Sequence, residues 1–242
     1  MRVQYPAMSA APHPTIALLQ NNSLTMVVQQ EIERAILAGD YGPGSKLNEA
    51  LLAQKLGVSR GPVREAFRML DEAGLVRTEK NRGVFVRDIP IDEAVEIYEL
   101  RAAMEESVGR RLAQHMNAAQ RQEAEAMVQA MDAAVKGRDA HQYHLLNLQF
   151  HDRLVEMAGN RKLTAIYRRL IKEISLFRRL NLADDALLPA SAQAHWDILQ
   201  AIGSGEPETA GRAMFAHTMQ SKLRMVANAQ RRQAEPAPME SQ

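Results

Sequence analysis

A chain of 242 residues, 46% apolar and 24% charged, is long enough for two modest domains and has the composition of a soluble globular protein. Its net charge of +1 gives no bulk field toward nucleic acid, so any DNA affinity must come from locally placed Arg and Lys. The absence of cysteine excludes disulfides, thiolate metal sites and cysteine nucleophiles. No apolar run approaches the roughly 18–20 residues that span a bilayer, and Arg2 is followed by no continuous apolar segment, so a cytoplasmic protein without a membrane partner is expected.

Residues 1–20 carry Pro6, Pro12 and Pro14 without a sustained period and read as a flexible arm. Ser23 can cap a helix running to about Ala38, with Met26, Val27, Ile32, Ala35 and Ile36 toward a core. Gly39, Gly42, Pro43 and Gly44 then break the chain. Asn48 can cap a short helix from Glu49 to Leu56, and Gly57 ends it in a tight turn. Ser59 is the next candidate cap. Gly61 and Pro62 suit the first turn of a third helix, where a missing amide donor costs nothing. That helix runs to Ala73 before Gly74, with Val63, Ala66, Phe67 and Leu70 on its apolar face. Leu75–Thr78 and Val84–Arg87 read as two strands joined by a turn at Asn81, Arg82 and Gly83. Residues 21–88 are thus predicted to be a winged helix–turn–helix domain.

Such a unit places the N-terminal end of its last helix in the major groove. Here that end carries Ser59, Arg60, Gly61 and Arg64, and Arg60 and Arg64, four apart, share one helix face. Arginine suits the paired acceptors of guanine. Arg82 at the hairpin tip could reach a minor groove or a phosphate. Taken singly, each arginine could also be an ordinary solvated side chain.

After a linker at 89–91 the pattern turns almost wholly helical. Helices are expected near 92–115, 118–136, 139–158, 161–181, 189–203 and 206–228, with a disordered tail at 229–242. The predicted fold class is mainly α, a winged helix–turn–helix domain leading into an all-helical antiparallel bundle.

Three histidines in this half fall on inward faces of three different helices. His151 shares a face with Asn147, Leu154 and Val155. His195 precedes Ile198, Leu199 and Ile202 at helical spacing, and His217 aligns with Ala210 and Met214. Each could be a core histidine bonded to a backbone carbonyl. Three buried near one another are most simply explained by a shared ligand, a divalent metal held by neutral imidazole nitrogens and an oxygen donor. An open metal position would attract an anionic oxygen ligand such as a small organic acid. Arg101 and Arg178 are candidates to hold its second end. Arg101 could equally pair with Glu105 or Glu173. Tyr143 and Trp196 could line the cavity or belong to plain core.

The string LNEALLAQKLGVSRGPVREAFRMLDEAGLV, residues 47–76, is similar to the most distinctive stretch of the GntR superfamily of bacterial transcription regulators. The helical remainder resembles the FCD-type effector domain of the FadR subfamily. The resemblance implies DNA contacts from Ser59, Arg60, Gly61 and Arg64, with Gly83 at the wing tip. Where members commonly carry Arg in the second helix, this chain has Ala50. Many such domains hold a metal with one Asp or Asn and three His, a pattern matched by Asn147 and His151 in NLQFH and by His195 and His217. The neutral amide of Asn147 leaves that site more positive than a carboxylate would. The nitrogen-rich set favours Zn²⁺ or Ni²⁺.

A DNA reader joined to a bundle of this kind is expected to be a homodimeric, ligand-responsive regulator on a near-palindromic operator, repression relieved by ligand being the commoner mode in the family. A metal sensor, with the metal itself as effector, is the alternative. A metal-dependent hydrolase has little support, since no Glu sits at the offset from a ligand that an H-E-x-x-H helix provides.

Overall fold

The computed structural model describes residues 24–180 and 188–234, with backbone alone for 178–180, 188–191 and 232–234. The expected arm, the Ser23 cap and the last residues of the tail lie outside the described residues. The chain divides into two compact units, one reaching Arg87 and the other starting at Asp88.

In the first unit α1 (Leu24–Ala38) is followed by β1 (Lys46–Leu47), α2 (Glu49–Leu56), α3 (Arg60–Glu72), β2 (Val76–Glu79) and β3 (Gly83–Val86). The cap residues set these boundaries. Asn48 accepts hydrogen bonds from the amides of Ala50 and Leu51, and Gly57 ends α2 in the left-handed region at φ 65°. Ser59 stands at the N-cap of α3 in extended backbone, but its side chain makes no capping hydrogen bond, contrary to the expectation. Pro62 falls in the first turn, where the amide it lacks has no intrahelical acceptor. Val63, Ala66, Phe67 and Leu70 are buried as the pattern requires.

On α1 the core face is Val28, Ile32, Ala35 and Ile36, which recur at helical period. Met26 and Val27, expected inside, are 40% and 47% exposed because they lie off that stripe. The sheet is antiparallel in the order β1-β3-β2, with Arg77 opposite Phe85 and Lys46 opposite Phe85 from the other side. The strand β1 was not foreseen. Two residues carry no alternation, and the pairing that makes them a strand comes from β3.

The second unit contains α4 (Ile91–His115), α5 (Ala118–Lys136), α6 (Ala140–Met157), α7 (Arg161–Leu180), α8 (Leu188–Gly203) and α9 (Pro207–Ala234). A capping box at Asn117 and Gln120 starts α5, and the Asp139 side chain caps α6. Leu112, Val128, Met131, Phe150, Leu154 and Ile198 lie in its apolar core. One boundary differs from expectation: α9 continues through Asn228 to Ala234, so residues 229–234 are helical rather than tail.

Two helices of this unit touch backbone to backbone. A Cβ added at Gly109 of α4 would lie 2.6 Å from the carbonyl oxygen of Ala210 on α9, and one at Gly211 would lie 3.1 Å from that of Glu106. The contacts run antiparallel, from Arg110–Glu208 through Gly109–Ala210 to Glu99–Lys222. This close crossing brings residues 101–105 of α4 against residues 217–218 of α9.

Candidate nucleic-acid interface and buried histidine cluster

Ser59, Arg60, Gly61 and Arg64 are all exposed at the N-terminal end of α3. Arg64 is not simply solvated. Its Nη2 and Nε donate to the two carboxylate oxygens of Glu49 on α2, at 2.9 and 3.2 Å. These charge-assisted bonds lower the Glu49 pKa and raise that of Arg64. The fork holds the guanidinium in place on the surface of the helix pair.

The hairpin tip is built by Asn81 at φ 61° and Gly83 at φ 117°. A side chain at Gly83 would be strained, and its Cβ would press on Cε of Lys46 at 2.9 Å. Exposed Arg82 pairs with Glu79, and its guanidinium carbon lies 5.7 Å from the Phe85 ring centre. Between α3 and the hairpin runs a groove lined by Lys46, Arg64, Arg68 and Arg82. Lys46 and Arg68 escaped the sequence reading. Arg68 could have been found one turn beyond Arg64, whereas Lys46 joins the groove only through the unforeseen strand β1.

In the second unit α6, α8 and α9 bring His151, His195 and His217 together. Their rings are buried, with centres 4.6–5.4 Å apart, and one ligating atom from each lies within 4.8 Å of the others. Asn147, one turn before His151, places Oδ1 2.7 Å from Nε2 of His195. Phe150 and Tyr143 flank His195 edge-on, so this side of the cluster is walled by aromatic rings. Burial, reinforced by neighbouring His151, pushes the His217 pKa down to about 3. A neutral imidazole is the form that binds metal. Three nitrogen donors and an amide oxygen therefore fit a nitrogen-preferring divalent ion.

Arg101 is buried and donates from Nη2 to Glu105 at 2.7 Å, one of the two pairings foreseen. Its Nε and Nη1 have no hydrogen-bond partner among the described residues. Burial opposes its charge, but Tyr167 and Glu105 outweigh burial and raise its pKa. Glu105 is fully buried and was missed as a member of the site. One oxygen accepts from Arg101 and from the Tyr167 hydroxyl at 2.8 Å. The other accepts from the Thr218 hydroxyl at 2.6 Å and lies 3.2 Å from Nδ1 of His151. Burial alone would raise its pKa, yet His151 and Arg101 together hold it well below the usual carboxylate range. The Arg178 side chain lies outside the described residues. Trp196 donates to Asp132 at 2.8 Å.

The profile of bacterial regulatory proteins of the gntR family matches residues 24–86, and that of the FCD domain matches residues 96–220. The chain belongs to the GntR family. GntR relatives include a Paenarthrobacter nicotinovorans protein named "Probable D-xylose utilization operon transcriptional repressor", 29% identical over 82% of this chain and 87% of the relative. Another is the HTH-type transcriptional repressor RspR of Escherichia coli K12, 25% identical over 81% and 85%. A GntR regulator from Rhodococcus sp. RHA1 of known structure superposes with a TM-score of 0.70 at 25% identity, covering 85% of this chain and 99% of that one. As a GntR regulator the chain is a DNA-binding transcription factor and not an enzyme, which removes the hydrolase reading. Among the described residues no helix is long and apolar enough to cross a membrane.

Proposed function

We propose that this GntR regulator is a cytoplasmic homodimer whose helical unit binds a small carboxylate beside a divalent metal, Zn²⁺ or Ni²⁺, and thereby changes its grip on a near-palindromic operator. The observation that carries the reading is the buried meeting of His151, His195 and His217 from three helices, with Asn147 against His195. These four residues would hold the metal, which when bound supplies Lewis-acidic positions for a carboxylate oxygen. The unpartnered Nε and Nη1 of Arg101, buried on the same helix as Glu105, are suited to hold an anion. Arg178 is a second candidate for that role. On the DNA side, Ser59, Arg60, Gly61 and Arg64 would enter the major groove, with Arg82 and Gly83 at the adjacent backbone or minor groove. Relatives named repressors support a repressor whose hold the effector weakens.

Elemental analysis of protein dialysed against Zn²⁺ or Ni²⁺ tests the metal half. The expected result is one ion per chain in the wild type and a substoichiometric amount in His195→Ala. Metal-free wild type, or full occupancy without the cluster, would refute it.

A further inference from the structure

The four candidate donors of the cluster, three imidazoles and an amide, are neutral when they ligate. A divalent cation among them would put an uncompensated charge into a dry interior, which is costly. The buried carboxylate that reaches a candidate ligand is Glu105, and it stands on α4, a helix that contributes none of the four donors.

Its two oxygens are divided between two tasks. Oε1 is occupied by Arg101 and Tyr167, whereas Oε2 is turned to the histidine side, held by Thr218 and 3.2 Å from Nδ1 of His151. The 3.2 Å approach is an ion-pair distance without hydrogen-bond geometry in the ring's present orientation. A rotation that aims a proton on Nδ1 at Oε2 would put the lone pair of His151 on Nε2, the arrangement by which a carboxylate orients a ligating histidine. Thr218 comes directly after His217, so successive residues of α9 supply one candidate ligand and the clamp on the carboxylate.

We infer that Glu105 is the positioning residue of the histidine cluster, its Oε2 facing Nδ1 of His151 and orienting that ring, while its charge is shared with the Arg101 guanidinium. The inference rests on the metal reading proposed above. It also makes Glu105 the one carboxylate in contact with both His151 and Arg101, the residues proposed above for metal and for anion.

The test is Zn²⁺ titration of the metal-stripped full chain against a chromophoric chelator, with the visible spectrum of the Co²⁺-loaded protein as a second readout. Wild type is expected to bind one Zn²⁺ per chain. Glu105→Gln, which keeps shape and an acceptor but loses the charge, is expected to bind 10–100-fold more weakly and to shift the Co²⁺ bands. Thr218→Val is expected to fall between the two. Glu105→Gln leaves the Arg101 guanidinium uncompensated, so the Arg101→Gln/Glu105→Gln double variant is measured beside it. With both charges gone it should melt close to wild type and still bind weakly. Wild-type affinity in a folded Glu105→Gln or in the double variant overturns the inference and leaves the metal reading standing. No Zn²⁺ bound by the wild type overturns the metal reading and the inference together.

Discussion

Arg60 and Arg64 lie one helical turn apart on α3 and differ in how they are held. Arg64 is paired with Glu49, whereas Arg60 stands at the first position of the helix, the end that helix–turn–helix units turn toward base edges. Replacing Arg60 with Ala should cost about 1–3 kcal/mol of specific binding and relax the preference at one base position. A gel shift on an enriched duplex reads that loss, and unchanged affinity would move the recognition surface elsewhere. His217 makes a second prediction, about acid. The unfolded chain protonates this histidine below roughly pH 6.5, but the folded chain keeps it neutral down to about 3. The unfolded state therefore binds more protons across that window. Stability of the chelator-treated protein should fall as the pH drops below about 6.5, by at most about 1.4 kcal/mol per pH unit from this residue. Urea unfolding at several pH values checks it, with His217→Asn expected to flatten the slope.

At the scale of elements, the crossing of α4 and α9 decides whether the site exists. Gly109→Ala would drive a methyl group into the Ala210 carbonyl at 2.6 Å, contact that only a shift of one helix can relieve. The expected loss is about 1–3 kcal/mol in thermal or urea unfolding, and wild-type stability would show that the helices are free to slide. Most element boundaries were legible because they are written in local chemistry, such as Asn48, Gly57, Asn117 and Asp139 at helix ends. The strand β1 and the groove lysine it delivers were not, since Lys46 and Leu47 become a strand only through distant Phe85 and Val84. The histidines were legible from their apolar neighbours at helical spacing. Glu105 and Thr218 were not recognised as parts of the site. Arg101 read equally as a holder of the ligand or as an ion-pair partner of Glu105 or Glu173, and the crossing at Gly109 and Gly211 decides that the pair with Glu105 is buried.

For the whole molecule, the sequence separates a DNA reader from a helical unit near Asp88, and each unit carries its own chemistry. Arginines and a basic groove face solvent in the first, and buried histidines with a carboxylate–guanidinium network lie in the second. A regulator needs the second to bias the first, which requires a ligand with different affinity for two states of the protein. The direct measurement is the Kd of the full chain for a duplex enriched from a random library. It is taken by fluorescence anisotropy with the protein metal-stripped, Zn²⁺-loaded, and Zn²⁺-loaded with lactate, malonate or succinate. At least one carboxylate is predicted to change the Kd about 5–150-fold, in a manner that needs Zn²⁺ and disappears in His195→Ala. One Kd common to all these states and to the variant would contradict a bundle that controls the reader through its metal.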